Sequence, residues 1–238
     1  MSPDPDRTLI VIPARGGSKR LPRKNVLPLA GKPLIRHSID IALECKIFGE
    51  ILITTDDPEI AGISRKAKSV TIDDRSPDLA SDTTKVIDVM LEICGRKKVK
   101  ESFDIIGMLL PTCPLRISDD LLKGFSMLTA DTDAVVSFTE YEFSPVCAVS
   151  IAKGDIMKPV YEPSPLITGN TRTQDQVSMY RPNGGVFFSW IASLNNLKSF
   201  YTGQVRGHVM PRSRSIDIDT EEDFALAEWM LQRKSHHI

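Results

Sequence analysis

The sequence predicts an α/β fold: a single domain with a mainly parallel sheet flanked by helices. Three observations carry this expectation. Over the first 138 residues, apolar runs of strand length alternate with stretches of helical periodicity. The runs Leu9-Ile-Val-Ile12 and Ile105-Ile-Gly-Met-Leu-Leu110 are apolar without a break, as suits parallel strands covered on both faces. The bulk numbers agree: 238 residues, 41% hydrophobic and 26% charged, suffice for one large domain with a small appendage.

Leu9–Ile12 is the first expected strand. Pro13 turns the chain into Ala14-Arg-Gly-Gly-Ser-Lys-Arg-Leu-Pro-Arg-Lys-Asn25. Gly16 and Gly17 permit positive φ and close approach of a ligand to the backbone. Arg15, Lys19, Arg20, Arg23 and Lys24 concentrate positive charge there, and no Asp or Glu occurs between Asp6 and Asp40. Backbone N–H groups beside fixed cations suit a polyphosphate. A loop leaving the first strand is also where an open α/β sheet places its ligand crevice. The spacing fits neither G-x-x-x-x-G-K-[ST] nor G-x-G-x-x-G, so Arg15, Lys19 and Lys24 must supply charge that those motifs take partly from a helix N-terminus.

After a turn at Leu27–Pro33, a helix is expected from Pro33, with Leu34, Ile35, Ile39 and Ala42 on its apolar face. Glu50–Asp57 reads as a second strand with acids at its end. Pro58 opens a helix to about Lys68, and Ser69–Ile72 reads as a short third strand. Thr83 or Thr84 is the expected cap of a helix over Val86–Ile93, and Ser118 of one reaching about Leu128. Ala134–Phe138 is a further strand. The alternation then stops. From Thr139 to Tyr180 prolines recur, helical periodicity is weak, and Ser144–Ile151 alternates like an exposed antiparallel strand. This stretch reads as an inserted arm. Asn183-Gly-Gly-Val-Phe-Phe-Ser189 resumes with a Gly-Gly turn into a strand. Ser215-Ile-Asp-Ile-Asp219 alternates, which as a strand puts Asp217 and Asp219 on one face. Thr220-Glu-Glu-Asp223 is a capping signal for a last helix.

The net charge of −1 makes the basic loop a local feature, which argues for a localised anionic ligand and against a nucleic-acid coat. Cys45, Cys94, Cys113 and Cys147 are far apart and form no C-x-x-C pair, so neither a zinc site nor a disulfide framework is expected. The acidic N-terminus lacks the apolar core of a signal peptide, and no apolar run is long enough to span a bilayer. A reducing cytoplasm is the expected setting, with no membrane partner.

Five segments taken together carry a family resemblance: Ile12–Asn25, Leu79-Ala-Ser-Asp-Thr83, Leu110-Pro-Thr-Cys-Pro-Leu-Arg116, Arg181-Pro-Asn-Gly-Gly185 and Ser215-Ile-Asp-Ile-Asp-Thr220. In this order they closely resemble the cytidylyltransferases that make CMP-sialic acid and related CMP-nonulosonates. The resemblance implies transfer of CMP from CTP to the anomeric hydroxyl of a nine-carbon 2-keto sugar acid, with release of pyrophosphate. It implies one α/β nucleotidyltransferase domain over residues 1–238, with a protruding dimerisation arm at about 139–180 and hence a homodimer.

By the same resemblance, Arg15, Gly16, Gly17, Ser18, Lys19 and Lys24 would hold the triphosphate, with Arg15, Lys19 and Asp219 catalytic. Asn25, Arg75 and Ser81 would place cytosine and ribose. Arg172, Arg181 and Asn183 would bind the sugar acid, and Asp217 and Asp219 would hold Mg²⁺. Leu110 stands where many members carry Gln, and Arg172 lies one residue before the usual Arg position, here Thr173. Sialic, legionaminic and pseudaminic acids, and the eight-carbon acid KDO, therefore remain open as the sugar.

Overall fold

A seven-stranded sheet frames the structure, a computed structural model that describes residues 2–235. β1 (Thr8–Pro13) leads through the basic loop to a small hairpin, β2 (Pro28–Leu29) and β3 (Lys32–Pro33), and then to α1 (Leu34–Cys45). β4 (Glu50–Thr55), α2 (Pro58–Arg65) and β5 (Thr71–Asp74) continue the alternation. Helices α3 (Val86–Gly95) and α4 (Lys97–Ser102) precede β6 (Ile105–Met108), and α5 (Ser118–Ser126) precedes β7 (Ala134–Glu140). A second hairpin, β8 (Val149–Ala152) and β9 (Ile156–Pro159), and the short α6 (Pro165–Thr168) come next. The chain returns through β10 (Tyr180–Trp190), α7 (Ile191–Leu197) and β11 (Val205–Val209), and α8 (Glu221–Ser235) follows.

The sheet order is β11-β7-β10-β6-β1-β4-β5. β1 pairs in parallel with β4 and β6, β4 with β5, and β7 with β11; β10 alone runs antiparallel, between β6 and β7. The alternation of β1 explains why both faces are covered. Ile10 and Ile12 pack into one core with Ile35, Ile39 and Phe188, whereas Leu9 and Val11 pack into the other with Met90, Ile93 and Phe187. The ends of β1, β4 and β6 and the start of β10 meet at one edge, so the loops they carry share one crevice.

Local chemistry sets the boundaries. Asp57 caps α2: its Oδ1 accepts from the backbone N–H groups of Glu59 and Ile60 at 2.9 and 3.0 Å, and Pro58 takes the first helical position. Thr220 and Asp223 cap the start of α8 reciprocally, at 3.2 Å and 2.9 Å. Three expectations shift. The third strand lies at Thr71–Asp74, two residues later than expected. Thr83 and Thr84 bond the Ser81 hydroxyl, and Lys85 is the N-cap of α3. Ile117 rather than Ser118 is the N-cap of α5, where Asp120 accepts from the Ile117 N–H at 3.0 Å.

Between β7 and β10 the chain leaves the sheet. Among the described residues, β8 and β9 pair only with each other. Phe143, Ile151, Ile156, Ile167 and Val177 are all more than half exposed along this stretch. No helix of the described residues is long and apolar enough to cross a membrane.

Candidate active site

The basic loop forms one wall of a cleft of about 440 Å³ at the shared edge. Arg15, Ser18, Lys19, Lys24 and Asn25 line it from one side, and Leu110, Thr112 and Asp219 from the other. A larger depression of about 580 Å³ lies elsewhere, beside Phe103 and Trp190. Its lining carries Lys100 and also Asp104, which is already paired to Arg7, so it lacks the cationic character of the cleft.

The loop is fixed at its base. Arg23 bonds Asp57 and Glu59 beyond β4, and Gly16 N–H donates to Asp56 Oδ1 at 3.1 Å. Positive φ occurs at Arg23 (φ 59°), not at the two glycines. Gly16 is required for a different reason: a Cβ there would collide with the Asp57 carboxylate, while Gly17 faces open space. Arg23 is thus an anchor, which leaves Arg15, Lys19, Arg20 and Lys24 as the cations presented toward the cleft.

The opposite wall is not a strand. Among the described residues, 215–219 form no regular element and pair with no sheet neighbour. Instead Ile218 N–H donates to the Thr112 carbonyl at 2.8 Å. The Ile218 side chain, fully buried, joins Leu21, Leu29, Leu34 and Ala227 in a small third core. Leu21 belongs to the basic loop, so this shared core holds loop and acidic segment together. Lys24 Nζ reaches the Ile218 carbonyl and lies 3.1 Å from Asp219 Oδ1, and Arg20 Nη2 lies 2.9 Å from Asp219 Oδ2. The Asp217 carboxyl is pushed above the usual range, first by burial and further by the charge of Asp219; a bond from Thr112 works the other way. Arg181, half-buried at the start of β10, is close enough to act electrostatically on Asp217.

The sequence-derived site residues therefore divide. Arg15, Ser18, Lys19, Lys24, Asn25 and Asp219 line one cleft, with Asp217 and Arg181 beside it. Asn25 is held by donating to the Arg15 carbonyl at 3.0 Å, and its buried Oδ1 has no hydrogen-bond partner among the described residues. Ser81 stands across the mouth of the cleft, where Arg15 Nη1 approaches its carbonyl at 3.5 Å. Arg75 lines a neighbouring hollow, with its guanidinium engaged by the Thr54 carbonyl at 2.7 Å and held below the usual range by burial.

Asn183 is enclosed completely and offers no surface to a sugar, which corrects its expected binding role. Its Oδ1 accepts from Ser137 Oγ at 2.6 Å and Gly185 N–H at 3.1 Å, and its Nδ2 donates to Ser215 Oγ at 2.8 Å. It braces the bulge at Gly184 (φ 70°) against the start of the acidic segment. Arg172 lies on the exposed stretch between β7 and β10, 3.7 Å from Asp175, and the structure does not bring it to the cleft.

Sequence reasoning missed Leu21, Asp82 and Arg116. Arg116 is buried, has no ion-pair partner among the described residues, and donates to the Leu110 and Gly185 carbonyls at 2.8 and 2.9 Å, tying together two turns of the cleft floor. Its signal was present in Pro114-Leu-Arg116, a single cation in the turn segment that follows a core strand.

Comparison with known proteins gives the same picture. The sequence profile of the family described as "Cytidylyltransferase" matches residues 9–145. The chain is 34% identical, over 95% of its length, to the CMP-N,N'-diacetyllegionaminic acid synthase of Legionella pneumophila, and covers 97% of that protein. It is 32% identical over 92% of its length to an N-acylneuraminate cytidylyltransferase of Streptococcus agalactiae, and spans 52% of that longer protein. It is 30% identical over 97% of its length to the pseudaminic acid cytidylyltransferase of Campylobacter jejuni, covering 98% of it. Its fold matches that of a CMP:2-keto-3-deoxy-manno-octonic acid synthetase solved in complex with CTP, at a TM-score of 0.68 and 19% identity, with 96% of this chain and 99% of the other covered. With a cationic loop and an acidic segment closing one cleft, and with sequence likeness running nearly end to end, the chain belongs to the cytidylyltransferase family.

Proposed function

We propose that this chain transfers CMP from CTP to the anomeric hydroxyl of a nine-carbon 2-keto sugar acid and releases pyrophosphate. The observation that carries the reading is the small apolar core shared by Leu21 and Ile218, which ties the basic loop to the Asp217–Asp219 segment on two sides of one cleft. The relatives in Legionella, Streptococcus and Campylobacter support the nine-carbon class, since their names are those of legionaminic, N-acylneuraminic and pseudaminic acid enzymes.

Catalysis of this kind is mainly alignment and neutralisation of charge. Arg15, Lys19 and Lys24 hold the triphosphate, with Ser18 and the open backbone at Gly17. Asn25 offers its unpartnered Oδ1 to a donor on the nucleoside, and Ser81 and Arg75 close that end. Arg181 receives the sugar carboxylate, for which a planar guanidinium is suited. The sugar oxygen bonds to the α-phosphorus, the bond from that phosphorus to the bridging oxygen breaks, and pyrophosphate leaves with the electron pair while the hydroxyl proton passes to solvent.

The donor set fits Mg²⁺: two carboxylates, with the charge of one acting on the other, are hard oxygen ligands. Among the described residues no three acidic, His or Cys side chains form a complete cage, so substrate phosphates would fill the remaining positions. Bound there, Mg²⁺ supplies Lewis-acid polarisation of the phosphate oxygens.

The stretch between β7 and β10 serves as a dimerisation arm in this reading, because a symmetric pairing would cover Phe143, Ile151 and Ile156. A cytoplasmic setting follows from the use of CTP.

The test is pyrophosphate release from CTP and Mg²⁺ with N-acetylneuraminate, N,N'-diacetyllegionaminate or pseudaminate supplied singly. Release with at least one acid, and none in its absence, is the expected result. No release with any of them refutes the proposal.

A further inference from the structure

We propose that Asp82 is an internal stand-in for pyrophosphate, holding Arg15 and Lys19 in the empty enzyme and retaking them as the product leaves. The inference rests on the reading of the cleft as a CTP site. Asp82 lies on the lip that follows β5, across the mouth from the basic loop. Its Oδ2 is 2.7 Å from Lys19 Nζ, and its Oδ1 is 3.0 Å from Arg15 Nη1. The other cations of the loop have different partners: Arg23 has Asp57 and Glu59, and Arg20 and Lys24 have Asp219. Asp82 therefore engages the two cleft cations that nothing else in the described structure neutralises. Lys19 in turn holds the Asp82 carboxyl below the usual range, so it is ionised at neutral pH.

The bonds are built to exchange. The Lys19 side chain is 73% exposed and that of Asp82 49%, and ion pairs in such settings contribute little net stability. A triphosphate or pyrophosphate brings several charges where Asp82 brings one, and displaces it without disturbing the core. The lip also carries Ser81, which Arg15 touches through its carbonyl, so release of Asp82 frees the lip as the nucleotide enters. Any ligand that must first displace Asp82 binds with an apparent affinity reduced by the fraction of enzyme in which the pair is formed. That reduction falls on CTP and on pyrophosphate alike, and it keeps a strongly cationic loop from retaining its product.

The test compares Asp82→Asn with Asp78→Asn, an exposed acid on the same lip whose side chain has no bond to the loop among the described residues. Binding of pyrophosphate alone and of CTP alone is measured by titration calorimetry at low and high salt, with pyrophosphate inhibition of turnover alongside. In Asp82→Asn the dissociation constant for pyrophosphate falls by about threefold or more, the product inhibits at lower concentration, and the difference shrinks with salt. Asp78→Asn stays at the wild-type value. An unchanged or raised constant in Asp82→Asn overturns the proposal, as does an equal fall in both variants, which would reflect general charge alone. Wild-type protein that bound neither pyrophosphate nor CTP would overturn the reading of the cleft itself, an outcome distinct from normal binding without an Asp82 effect.

Discussion

Replacing Asn183 by Ala separates a brace from a ligand contact. The side chain is fully enclosed and accepts from Ser137 Oγ and Gly185 N–H while donating to Ser215 Oγ. Ser215 keeps a bond to the Pro211 carbonyl after the substitution, at 2.9 Å. The Ser137 hydroxyl and the Gly185 N–H both lose their acceptor. A buried donor left unsatisfied costs about 1–3 kcal/mol, so the pair predicts a loss of about 2–6 kcal/mol. Set against a usual total of about 5–15 kcal/mol, that is a large fraction of the stability of a domain. Equilibrium urea unfolding, followed by circular dichroism, measures it as a lower midpoint at unchanged slope. Because Ser215 begins the segment that carries Asp217 and Asp219, turnover falls as well. An unchanged midpoint, with only the Michaelis constant for the sugar raised, would show that Asn183 faces the ligand and that the enclosed geometry is wrong.

Further expectations concern charge, metal, pH and assembly. Lys19→Ala lowers kcat/KM for CTP by about tenfold or more, the scale of one charge-assisted bond; unchanged steady-state kinetics would remove Lys19 from the triphosphate site. Chelation abolishes turnover and Mg²⁺ restores it, and Asp219→Asn loses about a hundredfold in rate; full activity in excess chelator would remove the metal from the account. His37 and His208 are both held below the usual histidine range, chiefly by burial. The unfolded chain therefore takes up their protons near pH 6.5 while the folded chain waits for lower pH, so their contribution is intact above about pH 6.5 and is lost as pH falls through the folded values. The urea midpoint should drop between pH 7 and pH 5, less steeply in His208→Gln; a midpoint that rises on acidification contradicts the assignment. Ile151→Glu on the exposed hairpin converts a dimer to a monomer in sedimentation velocity, and wild-type protein that is monomeric at micromolar concentration would count against the arm.

The frame of the sheet was legible because its inner strands are covered on both faces. Leu9–Ile12 and Ile105–Leu110 leave no polar position to confuse the period, and Asp57-Pro58 and Thr220–Asp223 mark helix starts by their chemistry. The family was legible for a different reason, since motifs spread over the chain agreed in order. Ser215–Asp219 misled as a strand because alternation reports sidedness, not pairing. Its two sides are set by Thr112 and a small apolar core, with no sheet edge involved. The paired glycines misled in a similar way: spacing shows that a Cβ is unwelcome, but not whether the cause is φ or a neighbour such as Asp57. Asn183 was misplaced because a turn exposes some residues and encloses others, and only the bulge in β10 decides which. The acids that anchor and neutralise the basic loop, Asp56, Asp57 and Asp82, come from other strands and loops, so their pairing belongs to the tertiary structure alone.

The central claim is that this cleft joins CMP to a nine-carbon sugar acid. A single competition reaction tests it most directly: CTP and Mg²⁺ with equal N-acetylneuraminate, N,N'-diacetyllegionaminate, pseudaminate and KDO, and the nucleotide products identified by mass spectrometry. The account predicts a CMP conjugate of a nine-carbon acid, formed in equal amount to the pyrophosphate released. A conjugate of KDO alone, or pyrophosphate released without any conjugate, would contradict it.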